Sequence, residues 1–444
     1  MRLALIYPEV YDLARFREGR KEFPPFGPLY LAAAAEAAGH EVKVFKVWPG
    51  SAQLDLRSFD AVGFSISSSA TYGVLKAARE SALIEPNALV MAGGVHANFY
   101  PERTLLDYRA DVVGVGECEE TILELLAESQ TRRFERIAGV CYLDNGAPVR
   151  TPARPIARDI DHLPVPARHL LPVEDIVMED RLAKTDVRMA HVMFSRGCPF
   201  PCRFCAVAQS VMQYRSGASA RHELEHLIDE FEIDGFAIVD DNFIINRHKV
   251  LDICEQIEPL GLQWSALSRV NTVNPDLLAA LRSAGCIELK FGMESGSPRI
   301  LEAMRKKIKP EGIREAVHDA AAAGINVKLF LIHGFPGEDL ESSRETMALL
   351  EDLAPLVERV SLFRFVPLPG TYVYNNPGEF GLRGTDRDPG WDGDWSRFHI
   401  HHNNHHWWGT AEEFAQVDAG YSELAAMVEA LWPDRHAAPL AAVA

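Results

Sequence analysis

The stretch SRGCPFPCRFC at residues 195–205 places three thiols, Cys198, Cys202 and Cys205, in the spacing C-x3-C-x2-C. It directly follows an apolar run at residues 191–194, which the pattern predicts to be a β-strand. Three thiolates on one loop can hold three irons of a [4Fe-4S] cluster and leave the fourth iron free to bind another molecule. A structural zinc ion would need a fourth ligand at paired spacing, and the other four cysteines stand alone in the sequence. The spacing therefore favours an iron-sulfur cluster with one open iron.

The residues after this thiol loop alternate between predicted strands and predicted helices. The predicted strands are 235–239, 263–267, 287–292, 326–332 and 360–366. A helix predicted at 311–323 has apolar residues on one face, which is typical of a helix that covers a core. Six β/α units over residues 188–377 fit a partial, open β/α barrel, whose reactive end is the C-terminal edge of its strands.

Residues 1–150 show a separate alternation of short apolar strands and helices, closed by a predicted hairpin at 136–150. This pattern predicts a doubly wound sheet with helices on both faces and a ligand site at the C-terminal ends of its strands. Residues 151–187 are rich in proline and predict an ordered linker, and residues 378–444 predict a C-terminal cap that contains an amphipathic helix. The fold class we expect is thus α/β, with a Rossmann-like domain followed by a partial (β/α)6 barrel.

Composition and charge narrow the classes of partner. The chain has 45 Lys and Arg against 63 Asp and Glu, and the resulting net charge of -18 repels nucleic acid but suits a cationic small molecule. The N-terminal apolar run is too short for a signal peptide, and no stretch approaches the roughly 18 apolar residues of a membrane span. Seven cysteines, three of them clustered, indicate metal binding in a reducing compartment. We therefore expect a cytoplasmic protein that binds neither nucleic acid nor membrane.

The thiol loop, with Phe204 before its last cysteine, strongly resembles the radical S-adenosylmethionine (SAM) superfamily. The resemblance extends to DDNF at 240–243, FGMESG at 291–296, HGFPGE at 333–338 and PLPGT at 367–371, each after a predicted strand. It implies a [4Fe-4S] cluster whose open iron binds the methionine amine and carboxylate of SAM, with Phe204 beside these cofactors. It also implies an external one-electron reductant of the flavodoxin or ferredoxin type. One electron breaks a sulfur-carbon bond of SAM, and the resulting 5'-deoxyadenosyl radical abstracts hydrogen from a substrate.

The same resemblance implies roles for polar residues at the strand ends. Asp240 and Asp241 correspond to the position that holds the methionine amine, Arg269 to a partner of its carboxylate, and Glu294 to the ribose site. A carboxylate suits two vicinal hydroxyls, and the fork of Arg suits a carboxylate. The alternative for Arg269 and Asp241 is a structural ion pair inside the barrel. Asp241 and His333 are also candidate catalytic bases, and the alternative for His333 is a core histidine.

The first domain resembles the N-terminal cobalamin-binding domain of one radical SAM subfamily. The resemblance rests on residues 25–31, 63–71, 93–97 and 114–117, where small side chains would let a corrin ring approach the backbone. Cys118 departs from the pattern, because the family usually has glycine there. The motif D-x-H-x-x-G of other cobalamin proteins is absent, but this subfamily commonly lacks it. Some members keep the fold without the cofactor, so the resemblance leaves cobalamin binding open.

The tail contains a tract of five histidines between His399 and His406, followed by Trp407 and Trp408. Such a tract could bind a metal or could form a lid that lines a polar substrate pocket. We favour the lid.

Three hypotheses for function follow. The leading one is radical dehydration or deoxygenation of an aminosugar diol, as in the radical diol-dehydratase of aminoglycoside biosynthesis, with Asp241 or His333 as the base. It takes a small polar substrate, a cationic aminosugar, in an antibiotic pathway. The alternative is a cobalamin-dependent radical SAM C-methyltransferase. The third is a non-catalytic cobalamin or iron-sulfur sensor, for which the full set of strand-end motifs would be superfluous.

Overall fold

The computed structural model describes residues 1–9, 24–182, 185–383, 395–400 and 405–433. Contacts divide the chain into two compact units. The first unit comprises Met1–Ile176 together with the short described segment 395–399, and the second comprises the rest from Val177 onward. Each unit is built on its own seven-stranded sheet.

The sheet of the first unit has the strand order β2-β1-β3-β4-β5-β6-β7. Its strands are β1 Arg2–Pro8, β2 Glu41–Val47, β3 Ala61–Ser65, β4 Leu89–Gly93, β5 Val112–Gly114, β6 Val140–Asp144 and β7 Ala147–Arg150. The first five are parallel to one another. The strand order reverses between β1 and β3, which is the place where doubly wound sheets open a crevice for ligands. The predicted α/β class is confirmed.

Six α-helices accompany this sheet within the described residues. They are Phe26–Ala37, Tyr72–Ser81, Val95–Phe99, Pro101–Asp107, Glu119–Ala127 and Val173–Ile176. Helices Phe26–Ala37 and Glu119–Ala127 pack into one core with β1, where Ala32, Ile122 and Leu5 are all buried. Small alanines on the first helix are buried, which lets the helix pack closely on the sheet.

The predicted hairpin is confirmed. Asp144 of β6 lies opposite Ala147 of β7, so only Asn145 and Gly146 form the turn. Both have positive φ, 50° and 84°, as a two-residue type I′ turn requires. Strand β6 pairs antiparallel with β5, and β7, which contains Pro148, is the outermost strand of the sheet.

The sheet of the second unit has the order β16-β15-β14-β13-β12-β9-β8. The strands of this unit are β8 Val177–Leu182, β9 Thr185–Val192, β10 Ser195–Arg196, β11 Gln213–Tyr214, β12 Gly235–Ile238, β13 Gln263–Ser268, β14 Cys286–Glu294, β15 Asn326–His333 and β16 Val357–Arg364. Six strands from β9 to β16 are parallel, while β10 and β11 form a separate ribbon. These six parallel strands are the predicted partial (β/α)6 barrel.

Helices of the second unit alternate with these strands. They are Gly217–Phe231, Arg247–Ile257, Pro275–Ser283, Pro298–Ala303, Pro310–Ala322, Leu340–Leu353, Tyr372–Asn375 and Ala411–Leu431. The last is the predicted amphipathic helix of the cap, and it begins at a capping box in which Thr410 and Glu413 satisfy each other's backbone N–H. Within the described parts of the chain, no helix has the length and apolar character needed to cross a membrane.

The predicted linker at 151–187 contains more regular structure than the sequence suggested. Its second half forms helix Val173–Ile176 and strand β8, which pairs antiparallel with β9. An edge strand is paired on one side only, so it needs no continuous apolar run of the kind that marks a central parallel strand. This explains why the sequence pattern predicted a linker there.

Candidate active site

The thiol loop lies between the two short strands β10 and β11, which close its base by pairing with each other. Inside the loop, the N–H of Cys198 donates to Ser210 Oγ at 2.8 Å, and the carbonyl of Cys198 accepts from the N–H of Ser210 at 2.9 Å. Gly197 has φ of 85°, and a Cβ there would collide with the carbonyl oxygen of Val211. Glycine is therefore required at this position for the loop to close.

The three thiols lie in one shielded loop. Cys198 and Cys202 are buried, and Cys205 is half-buried. Burial raises the pKa of Cys198 and raises that of Cys205 to about 12, and the neighbouring Cys202 raises both further. Among the described residues, no three His, Cys, Asp or Glu side chains converge on a single ion. A cubane instead takes each thiolate on a different iron, so this donor set fits a [4Fe-4S] cluster, whose binding would displace the thiol protons.

Asp240 connects the start of the thiol loop to the end of β12. Its carboxylate accepts from the N–H of Phe194 at 2.9 Å and from the hydroxyl of Ser195 at 2.5 Å. Burial raises the pKa of Asp240 to about 8. Asp241 is exposed and accepts from the N–H of Gly197 at 3.2 Å. Asp240 and Asp241 were both predicted to hold the methionine amine. Asp240 already accepts hydrogen bonds from Phe194 and Ser195, whereas Asp241 is exposed to solvent.

Arg269 is buried between the thiol loop and the segment after β14. Its Nη1 donates to Cys202 Sγ at 3.2 Å, and its Nη2 donates to the carbonyl of Lys306. The guanidinium carbon lies 3.9 Å from the centre of the Phe200 ring, a cation–π contact. Arg269 does not form the alternative ion pair with Asp241, because its guanidinium contacts the sulfur of Cys202 instead. Arg269 is therefore fixed against one of the three predicted cluster ligands.

Glu294 and Lys306 form a buried ion pair that sequence reasoning missed. Lys306 Nζ lies 2.6 Å from Glu294 Oε1, and the side chains are 6% and 8% exposed. The ammonium also lies 5.7 Å from the centre of the Phe204 ring. Glu294 has a φ of 64° where the pairing of β14 with β15 changes register, so its side chain leaves the regular alternation of the strand. The available signal was weak, since Lys306 is one of four cations within residues 305–309.

His333 lies at the end of β15 under the C-terminal helix Ala411–Leu431. Its Nε2 is 2.8 Å from Ser343 Oγ, and Gly420 of that helix packs against both side chains. Burial lowers the pKa of His333 to about 4, so the imidazole is neutral at pH 7. Nearby, Glu338 is also buried, and its carboxylate accepts from two backbone N–H groups of the same turn. These contacts match the core-histidine alternative, and a catalytic role for His333 stays a prediction.

The histidine tract is described in part. His401 and His402 lie outside the described residues. His405 packs against Trp407, with ring centres 5.4 Å apart, and His406 packs against Phe414 of the cap helix at 4.3 Å. In the described part of the tract, His405 and His406 thus each contact an aromatic ring.

The first unit contains a narrow cavity of about 60 Å³ at the C-terminal ends of its parallel strands. It is lined by Leu5, Pro28, Leu31, Gly63, Phe64, Ser65, Met91, Ala92, Gly93, Gly94, Gly114, Cys118, Ile122 and Leu125. At Gly94 a Cβ would collide with the backbone of Ile66, and φ is 98°, so the chain itself requires glycine. At Gly93 a Cβ would meet its nearest atom at 3.7 Å, an ordinary contact. The local backbone therefore does not exclude a side chain at Gly93, and its absence leaves apolar room of the kind that an apolar portion of cobalamin would occupy.

An aromatic cluster holds the loops after β3 and β4 together. The ring of His96 lies 4.5 Å from Trp395 and 4.7 Å from Tyr72, and its Nδ1 is 2.9 Å from Ser69 Oγ. Burial lowers the pKa of His96 to about 4. Trp395 lies in sequence between two segments of the second unit but packs into the first unit, which no local pattern could have predicted.

Comparison with known proteins identifies the family. Residues 192–350 match the radical SAM superfamily, and residues 16–126 match the B12 binding domain. An uncharacterised methyltransferase of Pyrococcus horikoshii is 33% identical over 366 residues, which cover 79% of this chain and 78% of that relative. The chain belongs to the radical SAM superfamily. Within it, the chain is a cobalamin-dependent radical SAM enzyme, with a [4Fe-4S] cluster, SAM and cobalamin as its cofactors. The question of cobalamin, which the sequence left open, is thereby answered.

Other relatives are named either as a cyclase or as a methyltransferase. The anaerobic magnesium-protoporphyrin IX monomethyl ester cyclase of Cereibacter sphaeroides is 27% identical over 395 residues, 84% of this chain and 63% of that one. The cytidylyl-2-hydroxyethylphosphonate methyltransferase of Streptomyces wedmorensis is 26% identical over 412 residues, 78% of this chain and 76% of that one.

Two solved structures share the fold. The radical SAM methyltransferase TsrM from Kitasatospora setae, with cobalamin and a [4Fe-4S] cluster bound, superposes with a TM-score of 0.62. It is 18% identical, and the match covers 83% of this chain and 76% of that one. The cobalamin-dependent enzyme OxsB, with aqua-cobalamin and SAM bound, gives a TM-score of 0.69 at 15% identity, over 94% of this chain and 66% of that one.

Proposed function

We propose that this enzyme is a cobalamin-dependent radical SAM C-methyltransferase that acts on a small polar substrate. One observation carries the proposal: two different cofactor sites are present in one chain. The first is a glycine-lined apolar cavity at the ligand edge of a doubly wound sheet, and the second is a three-thiol loop at the first strand of a barrel. Relatives named methyltransferases support methyl transfer over the dehydration of an aminosugar diol that the sequence favoured.

When bound, the cluster with SAM supplies a one-electron route to a substrate radical, and cobalamin supplies the methyl group. The chain's own residues hold these groups in place. Cys198, Cys202 and Cys205 each bind one iron, and Asp240 fixes the turn from which the thiol loop starts. Arg269 donates to Cys202 Sγ at 3.2 Å and holds this side chain in position.

The pair formed by Glu294 and Lys306 positions the ribose of SAM in this proposal. Lys306 holds one carboxylate oxygen of Glu294 at 2.6 Å, which leaves the other oxygen to accept from a ribose hydroxyl. Asp241, exposed at the rim of the thiol loop, accepts from the methionine amine. An ion pair that is already formed loses little entropy when the ligand binds, so it preorganises the site.

The experiment that tests the proposal is anaerobic. The enzyme is reconstituted with iron and sulfide, with and without hydroxocobalamin, and mixed with reductant and methyl-labelled SAM. We expect label to enter the bound corrinoid with release of S-adenosylhomocysteine, and 5'-deoxyadenosine to form when a substrate is added. Turnover of an amino sugar to a dehydrated product without corrinoid, with no S-adenosylhomocysteine, would instead establish the dehydratase.

A further inference from the structure

An exposed basic segment follows the helix Pro298–Ala303. Arg305, Lys307 and Lys309 are exposed, whereas Lys306 between them turns inward to the buried carboxylate described above. Within the part of the chain that the structure describes, none of these three exposed cations has an ion pair. The chain as a whole carries a net charge of -18, so three uncompensated cations within five positions form a local exception.

Hydrogen bonds connect this basic segment, and the two residues before it, to the thiol loop. The N–H of Arg203, the residue after Cys202, donates to the carbonyl of Met304 at 3.0 Å, and its Nη1 donates to the carbonyl of Ala303 at 3.3 Å. A second connection runs through Arg269, which bonds both the carbonyl of Lys306 and the sulfur of Cys202. The basic segment is therefore connected to Cys202, a predicted cluster ligand, through hydrogen bonds of a single side chain, Arg269.

The backbone of the segment is held in an unusual conformation. Arg305 and Lys307 have φ of 51° and 55°, in the left-handed region that residues other than glycine rarely adopt. These two residues flank Lys306, so the kinks turn that one ammonium inward while its neighbours face solvent. Strain of this kind persists where the surrounding structure enforces it, which is common at functional sites.

We propose that Arg305, Lys307 and Lys309 form the docking surface for an acidic one-electron carrier protein of the flavodoxin class. The carrier loses one electron and the cluster gains it, and no covalent bond forms or breaks in the docked complex. The patch has only three cations, which suits a localised acidic surface on a small protein better than the extended negative charge of nucleic acid or an anionic membrane. Exposed Glu302 and Glu311 bound the patch along the sequence and limit its extent.

The proposal rests on the reductive cleavage of SAM and is independent of whether a methyl group is transferred. The test variant is Lys307→Glu with Lys309→Glu, which reverses two charges and leaves the inward Lys306 intact. The control is Lys43→Glu with Arg344→Glu, two exposed cations elsewhere, which changes the net charge equally. The dissociation constant of reduced flavodoxin is measured by titration calorimetry, and the rate of cluster reduction by stopped-flow absorbance in the presence of SAM.

We expect the test variant to raise the dissociation constant of flavodoxin about tenfold and to slow reduction by flavodoxin by a similar factor. Reduction by dithionite, which needs no docking, stays within about twofold, and added salt weakens flavodoxin binding to the natural chain more than to the variant. The proposal is overturned if the control variant loses as much affinity, if neither variant does, or if dithionite reduction falls as far. A failure of the methyl-transfer assay would leave each of these readouts unchanged.

Discussion

The two units use the same architecture, a seven-stranded sheet with a parallel core, to opposite effect. At the ligand edge of the first sheet, side chains are missing: Gly63, Gly93 and Gly114 line an apolar cavity. At the same edge of the second sheet, charged side chains are buried and mutually paired, as in Glu294 with Lys306. In the proposed function, the cavity would receive an apolar portion of cobalamin, whereas the fixed charges of the second unit would bind the charged groups of SAM. The ligand edge of a parallel sheet thus sets where a cofactor binds, and the side chains there set which one.

The largest expected effect tests whether the cofactor sites of the two units are independent of each other. We expect Cys202→Ala to abolish formation of 5'-deoxyadenosine, because one iron loses its ligand, while the first unit still retains corrinoid after gel filtration. Iron content and product are measured by elemental analysis and mass spectrometry. The matched control is Cys254→Ala, a buried cysteine on helix Arg247–Ile257, which should keep both. Loss of corrinoid in Cys202→Ala would show that the sites are not independent.

The next largest effect concerns the buried charges of the second unit. Lys306→Met leaves the carboxylate of Glu294 buried without its partner, and we expect this to lower the free energy of unfolding by about 3–5 kcal/mol. The double variant Lys306→Met with Glu294→Gln should recover most of that loss, because no unpaired charge remains. Urea denaturation of the cluster-free chain measures both. A single variant as stable as the natural chain would mean that the pair is effectively solvated.

A smaller effect is expected when the cavity of the first unit is filled. Gly93→Ile places a side chain in the cavity, and we expect corrinoid affinity to fall roughly 10- to 100-fold, since overpacking costs about 1–3 kcal/mol. Gly93→Ala is the control, because its Cβ would make only ordinary contacts. Cluster content should be unchanged in both variants. Equal corrinoid retention by the two variants would place the cofactor elsewhere.

The smallest effect compares one histidine in each unit. Burial lowers the pKa of both His96 and His333 to about 4, below the ordinary value of 6.5, so each stays neutral in the fold. Their folded forms therefore bind fewer protons than the unfolded chain, and stability is lost as the pH falls from about 6.5 to about 4. At pH 5.5 we expect each to cost about 1 kcal/mol. His96→Gln and His333→Gln should each flatten the fall in melting temperature between pH 7 and 5.5, and an unchanged slope would mean that the histidine is charged in the fold.

The sequence was informative wherever the deciding forces are local. The alternation of apolar runs predicted both sheets, and the pair Asn145-Gly146 predicted its turn. The thiol spacing predicted the [4Fe-4S] cluster that membership of the radical SAM superfamily implies. What it missed depends on contacts distant in the chain. In the sequence, Lys306 looks like one of several surface cations, but the backbone turns its side chain toward Glu294. Trp395 packs against the ring of His96, which lies about three hundred positions earlier in the chain.

Both sheets have an edge where a second polypeptide could add as a further strand. In the first unit the outer strand β7 carries Pro148, which has no N–H to offer a new neighbour. Proline on an outer strand is one of the means by which proteins resist joining edge to edge into aggregates. A newly synthesised chain that waits for iron, sulfide and corrinoid is thus protected at this edge from assembling with its own copies.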